Sequence, residues 1–141
     1  MKLMGLDVGS TGVKAVVFDE EGKIRGSAYR EYPEVYPRSG WIELNPEQVW
    51  QGTRTVIGEA AAQAGGEVRS LCISAMGEAF TPVAEDGSFL YNTIVSPDAR
   101  AVKQAESWHQ TLGAQRVFEI TGMPLHPSFT LNKIMWLAQE R

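Results

Sequence analysis

Asp7-Val8-Gly9-Ser10-Thr11-Gly12 gathers a carboxylate, two hydroxyls and two glycines between two apolar runs. Glycines at 9 and 12 permit the positive φ of a tight turn and let backbone N–H groups approach an anion. Ser10 and Thr11 add O–H donors for phosphate oxygens. Asp7 could hold Mg²⁺ through water, since that ion keeps several waters and takes few carboxylates. Lys14 is near enough to add positive charge for phosphates. The same residue types also build an ordinary hairpin turn, with Asp and Ser satisfying the backbone, so residue type alone leaves both readings open. The segment is not a Walker A loop, because the G-x-x-x-x-G-K-[ST] spacing is missing and a strand follows instead of a helix; nor is it G-x-G-x-x-G.

The elements that would position this loop are read from apolar periodicity. Leu3–Val8 and Val13–Asp19 form nearly continuous apolar strands, which predicts a sheet covered on both faces. Ile24–Tyr32 follows as a more polar third strand after the turn Asp19-Glu20-Glu21-Gly22. Residues 31–44 carry Pro33, Pro37 and Gly40 without any period and read as a loop. Asn45 is an N-cap candidate, with Pro46 at the first helical position and Gln48 where a capping-box partner belongs. A helix then runs on Val49, Thr53, Val56, Ile57, Ala60 and Ala64, closed by Gly65-Gly66. Val68–Met76 returns to a buried strand, Phe80–Ala84 and Thr93–Val95 flank the turn Asp86-Gly87, and helices are expected at Ala99–Leu112, Ala114–Thr121 and Thr130–Gln139. Hairpins followed by a crossover make an α/β layered domain, unlike the strict alternation of a Rossmann unit.

Bulk properties bound the function. A chain of 141 residues is one domain's worth of core. Its net charge of -4 and the lack of a basic arm disfavour nucleic acid and anionic membranes as partners. The single Cys72 excludes a disulfide framework and offers no start for a metal cluster. The acid at position 7 comes too early for a signal-peptide apolar region, and no apolar run approaches the ~20 residues of a membrane span. The cytoplasm is the expected setting. Trp50 and Trp136 lie on helix faces with other apolar residues and read as core. His109 and His126 have no carboxylate partner visible in the sequence and are assigned no role.

The run Gly5–Asp19 as a whole resembles the first phosphate motif of the actin-like ATPase superfamily, and within it the FGGY carbohydrate kinases. Gly40-Trp41-Ile42-Glu43-Leu44-Asn45-Pro46-Glu47-Gln48-Val49-Trp50 is similar to that family's W-x-E-x-[DN]-P-x-x-W segment. Thr121-Gly122-Met123-Pro124, Pro127-Ser128-Phe129 and Lys133-Ile134-Met135-Trp136-Leu137 resemble its T-G…P-x-F…K-[LI]-x-W-L stretch. The resemblance covers essentially residues 1–141. It implies an actin-like (ribonuclease H-like) fold with a mixed sheet flanked by helices, and a soluble enzyme phosphorylating a sugar or polyol with ATP and Mg²⁺. By resemblance, Asp7, Gly9, Ser10, Thr11 and Gly12 would grip the ATP phosphates, with Lys14 close by and Asp7 organising the metal.

The same resemblance puts acceptor contacts on Gly77 and Glu78, where glycerol kinase-like members carry a glutamate that accepts from substrate hydroxyls; otherwise Glu78 is a solvated turn residue. Asp98 becomes a candidate for a sugar hydroxyl and Arg100 for fixing that loop or the substrate; the alternative is that Asp98 caps the helix after it, and the two roles can coexist. Ser96-Pro97 replaces the family's common Trp-containing pair. Trp41, in a loop, is the candidate wall of the acceptor cleft. The general base of the family lies later in its first domain, and the second phosphate loop and adenosine pocket lie in a second domain. Both are therefore expected beyond Arg141, and the final helix, lacking a cap, reads as cut. Such a piece would be inactive alone and prone to self-association. A non-catalytic actin-like regulator or sensor is the alternative reading.

Overall fold

The computed structural model describes residues 1–140. Strands β1 (Lys2–Val8), β2 (Gly12–Asp19) and β3 (Ile24–Glu31) form an antiparallel meander. Helix α1 (Pro46–Ala64) then crosses over to β6 (Ser70–Ala75), which lies parallel to β1. The resulting sheet has the order β3-β2-β1-β6. Two further strands sit inside the expected loop at residues 31–44. They are β4 (Glu34–Val35) and β5 (Glu43–Leu44), which pair with β7 (Thr93–Ile94) in a second, three-stranded sheet. Helices α2 (Val102–Thr111), α3 (Ala114–Thr121) and α4 (Thr130–Glu140) complete the chain. Among the described residues no helix is long and apolar enough to cross a membrane.

Alternation along the meander sets the core. Met4, Leu6, Val13, Ala15, Val17 and Ala28 point to one face and pack under Val56 and Ala60 of α1. Each fully buried valine there contributes about 1.5–3 kcal/mol. The helix approaches so closely at Gly26 that a Cβ would stand 2.1 Å from the Ala60 carbonyl oxygen. The α1 ends follow the sequence: Asn45 Oδ1 accepts from the Glu47 and Gln48 N–H groups at 3.0 and 3.3 Å, and Gly65 caps the other end at φ +61. Trp50 departs from expectation. It sits one position off the 49–53–56–60 stripe and is 53% exposed, whereas Trp136 is buried.

The sheet is covered on one face only. Leu3 and Phe18 are exposed on the other, so the expectation of a doubly covered sheet is not met within residues 1–140. Leu71 and Ile73 of β6 share the α1 face with Met4 and Leu6 and are exposed too, so the strand expected to be buried is not buried here. A second, smaller core of Ile94, Ala101 and Trp136, with Trp41, Phe80, Tyr91 and Leu137 against it, joins the three-stranded sheet to α4.

Candidate functional site

The Gly9–Thr11 turn joins the carboxyl end of β1 to β2. It is pinned by Gly9 N–H donating to the Gly12 carbonyl at 2.9 Å and by Tyr32, whose backbone N–H donates to Thr11 O at 3.3 Å and whose hydroxyl donates to Gly9 O. Neither Gly9 nor Gly12 has positive φ. What excludes a side chain at Gly12 is β3, since a Cβ would meet the Arg30 carbonyl and the Tyr29 hydroxyl at 2.6 Å. Asp7 lies directly opposite Lys14 on β2 and Ser74 on β6, all on the open sheet face. Neither the Asp7 carboxylate nor the Ser10 and Thr11 hydroxyls form a hydrogen bond or ion pair with another described residue, so these groups are uncommitted. Among the described residues no cluster of three metal-ligating side chains exists. That donor set suits an ion that takes one carboxylate and fills its shell with water and phosphate oxygens.

Strand β6 runs parallel beside β1, and Met76 N–H donates to Val8 O at 3.1 Å, so Gly77 and Glu78 leave the sheet at the same end as the Gly9–Thr11 turn. Glu78 is the only non-glycine with positive φ among the described residues, at +56. Its Oε2 accepts from the Thr130 N–H at 2.5 Å and the Thr130 hydroxyl at 2.7 Å, at the start of α4. Those two hydrogen bonds hold its carboxyl below the usual range against the opposing effect of burial, with the Lys133 charge a lesser aid. Oε1 accepts nothing from another described residue. Lys133 is fully buried and donates to the carbonyls of Glu78, Val95 and Ser96 at 2.9, 2.8 and 3.2 Å. Burial brings its ammonium down to about 8, although the charges of Asp98 and Glu78 favour the protonated form. An open cavity of about 420 Å³ with mainly apolar walls, among them Trp108, Val117 and Phe129, has Glu78 and Thr130 at its edge.

Asp98 and Arg100 follow the Val95-Ser96 segment that Lys133 also holds. Asp98 is 1% exposed, and both its oxygens are engaged. Oδ1 accepts from the Arg100 backbone N–H at 2.9 Å and Nε at 2.8 Å; Oδ2 accepts from Arg100 Nη2 at 2.8 Å and the Ile42 N–H at 2.6 Å. A carboxylate has about four acceptor positions, and here all are filled by the protein. The helix-capping reading also shifts, because α2 starts at Val102 and the Asp98 contact is to a residue before it. Arg100 Nη2 pairs with Glu43 at 2.8 Å as well, and its guanidinium lies 4.1 Å from the Trp41 ring centre and 4.9 Å from that of Trp136. Burial opposes this charge, but the hydrogen bonds and charges of Asp98 and Glu43 outweigh it and hold Arg100 above its ordinary value. Trp41, edge-on to Trp136 at 5.0 Å, borders a different open cavity of about 690 Å³ with Arg38, Tyr91 and Asn92.

The structure therefore brings together Asp7, Gly9, Ser10, Thr11, Gly12, Lys14, Gly77 and Glu78 at one sheet end. It groups Trp41, Asp98 and Arg100 in a mostly buried knot, joined to that sheet end through Lys133. Sequence reasoning overlooked Tyr32, Glu43, Thr130 and Lys133. Glu43 and Lys133 carried a signal: each is a charged residue set among apolar ones in a segment bound for the core.

Comparison with known proteins matches residues 2–141 to the N-terminal domain of the FGGY family of carbohydrate kinases. A glycerol kinase of Beutenbergia cavernae is 33% identical over 144 residues, an alignment taking in 98% of this chain and 28% of the relative. Gluconate kinase from Lactobacillus acidophilus superposes with a TM-score of 0.89 at 26% identity, over 97% of this chain and 28% of that one. A ligand-bound xylulose kinase from the same organism gives the same TM-score, identity and coverage. The chain thus spans less than a third of the length of these relatives. The mixed sheet and flanking helices are those of the actin-like (ribonuclease H-like) sugar kinases. This chain belongs to the FGGY family of carbohydrate kinases, of which it forms an N-terminal portion.

Proposed function

We propose that the protein to which this chain belongs transfers the γ-phosphoryl group of ATP to a hydroxyl of a sugar or polyol, with residues 1–141 supplying one phosphate loop and part of the acceptor site. The observation that carries this reading is the shared sheet end. The uncommitted Asp7, Ser10 and Thr11 leave β1 beside the uncommitted Oε1 of Glu78, which leaves β6. Phosphoryl transfer is mostly positioning and charge stabilisation, and it needs donor and acceptor gripped within reach of one another.

The residue roles proposed here rest on the family resemblance together with this placement. Backbone and hydroxyls of Gly9–Gly12 hold phosphate oxygens, with Lys14 adding charge. Asp7 holds Mg²⁺, through water or directly. When bound, that ion neutralises the charge of the transferring phosphoryl group. Glu78 accepts from acceptor hydroxyls beside Gly77. Arg100 fixes the acceptor-side loop, using Asp98 and Glu43 as its counter-charges, and Trp41 covers its guanidinium. In this reading the general base comes from a part of the protein outside residues 1–141, as the family resemblance implies, and residues 1–141 alone do not turn over. A cytoplasmic setting fits the use of ATP.

The test is ADP release by the intact protein supplied with MgATP and, separately, glycerol, D-gluconate and D-xylulose. Turnover with at least one is expected; no ADP above the acceptor-free rate with any of them would overturn the reading.

A further inference from the structure

We propose that Thr130 and Lys133 of α4 are positioning residues for the acceptor, aiming the free oxygen of Glu78 at the substrate hydroxyl; this rests on the acceptor role given to Glu78 above.

Glu78 has three features that a passive turn residue does not need. Its backbone is in the left-handed region, which disfavours any side chain and persists only where surroundings impose it. Its carbonyl is held by a lysine that has no exposure to solvent. Its carboxylate is held through one oxygen only, by both donors of Thr130. Backbone and side chain are thus fixed from the same helix, one turn apart, and Oε1 has no partner among the described residues.

Lys133 also ties this point to the loop bearing Asp98. Its other two donors go to Val95 and Ser96, while Trp136, one turn further along α4, packs on Trp41 beside Arg100. A buried ammonium is a poor choice for stability, since an apolar side chain of similar volume would avoid its desolvation. What it supplies is three donors diverging from one atom, and here they meet three carbonyls from two separate segments. Helix α4 therefore works as a bracket between the strand end that presents Glu78 and the loop after β7. The Thr130 hydrogen bonds also hold the Glu78 carboxyl below its ordinary range, which favours the ionised, acceptor-only form.

The experiment uses the intact protein with Thr130→Val, Thr130→Ser and Lys133→Met, assayed with MgATP and glycerol, D-gluconate and D-xylulose. Thr130→Val keeps the shape and backbone N–H but removes one donor to the carboxylate. The acceptor KM is expected to rise roughly tenfold or more, the worth of a hydrogen bond to a charged group. The ATP KM should stay where it is, and Thr130→Ser should return the acceptor KM toward wild type. Lys133→Met should act in the same direction; if it does not fold, Thr130→Val decides alone. An unchanged acceptor KM in Thr130→Val, or acceptor and ATP KM values rising together, would overturn the proposal. A wild-type protein inactive on all three acceptors would instead overturn the kinase reading. The positioning claim is then read by hydrogen exchange at residues 76–80, which Thr130→Val must accelerate if Thr130 holds Glu78 and leaves unaltered if it does not.

Discussion

Replacing Arg100 by methionine keeps most of the side-chain volume and removes the guanidinium from between three carboxylate oxygens and two indoles. The side chains of Arg100, Asp98 and Glu43 are 0%, 0% and 3% exposed, so water cannot take over the lost partners. Three charge-assisted contacts at 2.8 Å disappear, along with the stacking at 4.1 Å on Trp41. Two buried carboxylates lose the cation that pairs them both. Breaking a buried pair in this way costs about 3–5 kcal/mol. That is a large part of the 5–15 kcal/mol, roughly, that holds a domain together. Urea unfolding followed by tryptophan fluorescence is the assay, since Trp41 and Trp136 flank the guanidinium. The triple change Arg100→Met, Asp98→Asn, Glu43→Gln removes the charges together and is expected to recover much of the loss, because the penalty lies in the unpaired carboxylates. A single variant within ~1 kcal/mol of wild type would refute the reasoning. So would a triple variant as unstable as the single one.

Other consequences are read in the same kind of measurement. Gly26→Ala drives a Cβ to 2.1 Å from Ala60 O and should cost about 1–3 kcal/mol or more in urea unfolding. Gly58→Ala, on the same helix with nothing within 4 Å of the new atom, should instead stabilise by about 0.5–1 kcal/mol. Burial, with the Asp7 and Tyr29 charges behind it, pushes Tyr32 up to about 12 from an ordinary 10.0. The unfolded chain then loses this proton first, so the folded state binds more protons between those values and stability falls as pH rises through that window, by up to about 3 kcal/mol. Tyr32→Phe should cost about 1 kcal/mol near neutrality and lack this loss, so the gap between the two proteins should close above pH 10. A gap that widens there would contradict the assignment.

Most of what local rules specify was legible in the sequence. The Asn45-Pro46 start and Gly65 stop bound α1, α3 runs over the expected Ala114–Thr121, and the glycine-bearing turn between two apolar strands stands where it was placed. β4 and β5 were missed because two residues show no period; β4 pairs only with β5, and β5 takes its other partner from β7, some fifty residues away. Trp50 was misjudged because a helix of this length offers several apolar arcs, and only the one over the meander is used. Asp98 looked available because nothing local shows that Arg100, two residues on, folds back onto its carboxylate, and because its remaining donor, the Ile42 N–H, comes from a distant segment. Lys133 read as a family position whose purpose is invisible until Glu78, Val95 and Ser96 converge on it.

The central claim is that one sheet end holds the phosphoryl donor through Asp7 and the acceptor through Glu78. Steady-state kinetics of the intact protein carrying Asp7→Asn or Glu78→Gln test it most directly, with both KM values and kcat measured on whichever of glycerol, D-gluconate or D-xylulose turns over. Glu78→Gln is predicted to raise the acceptor KM and leave the ATP KM in place. Asp7→Asn is predicted to lower kcat with MgATP while acceptor KM holds. Two variants with wild-type constants, or with both KM values shifted alike, would contradict the account.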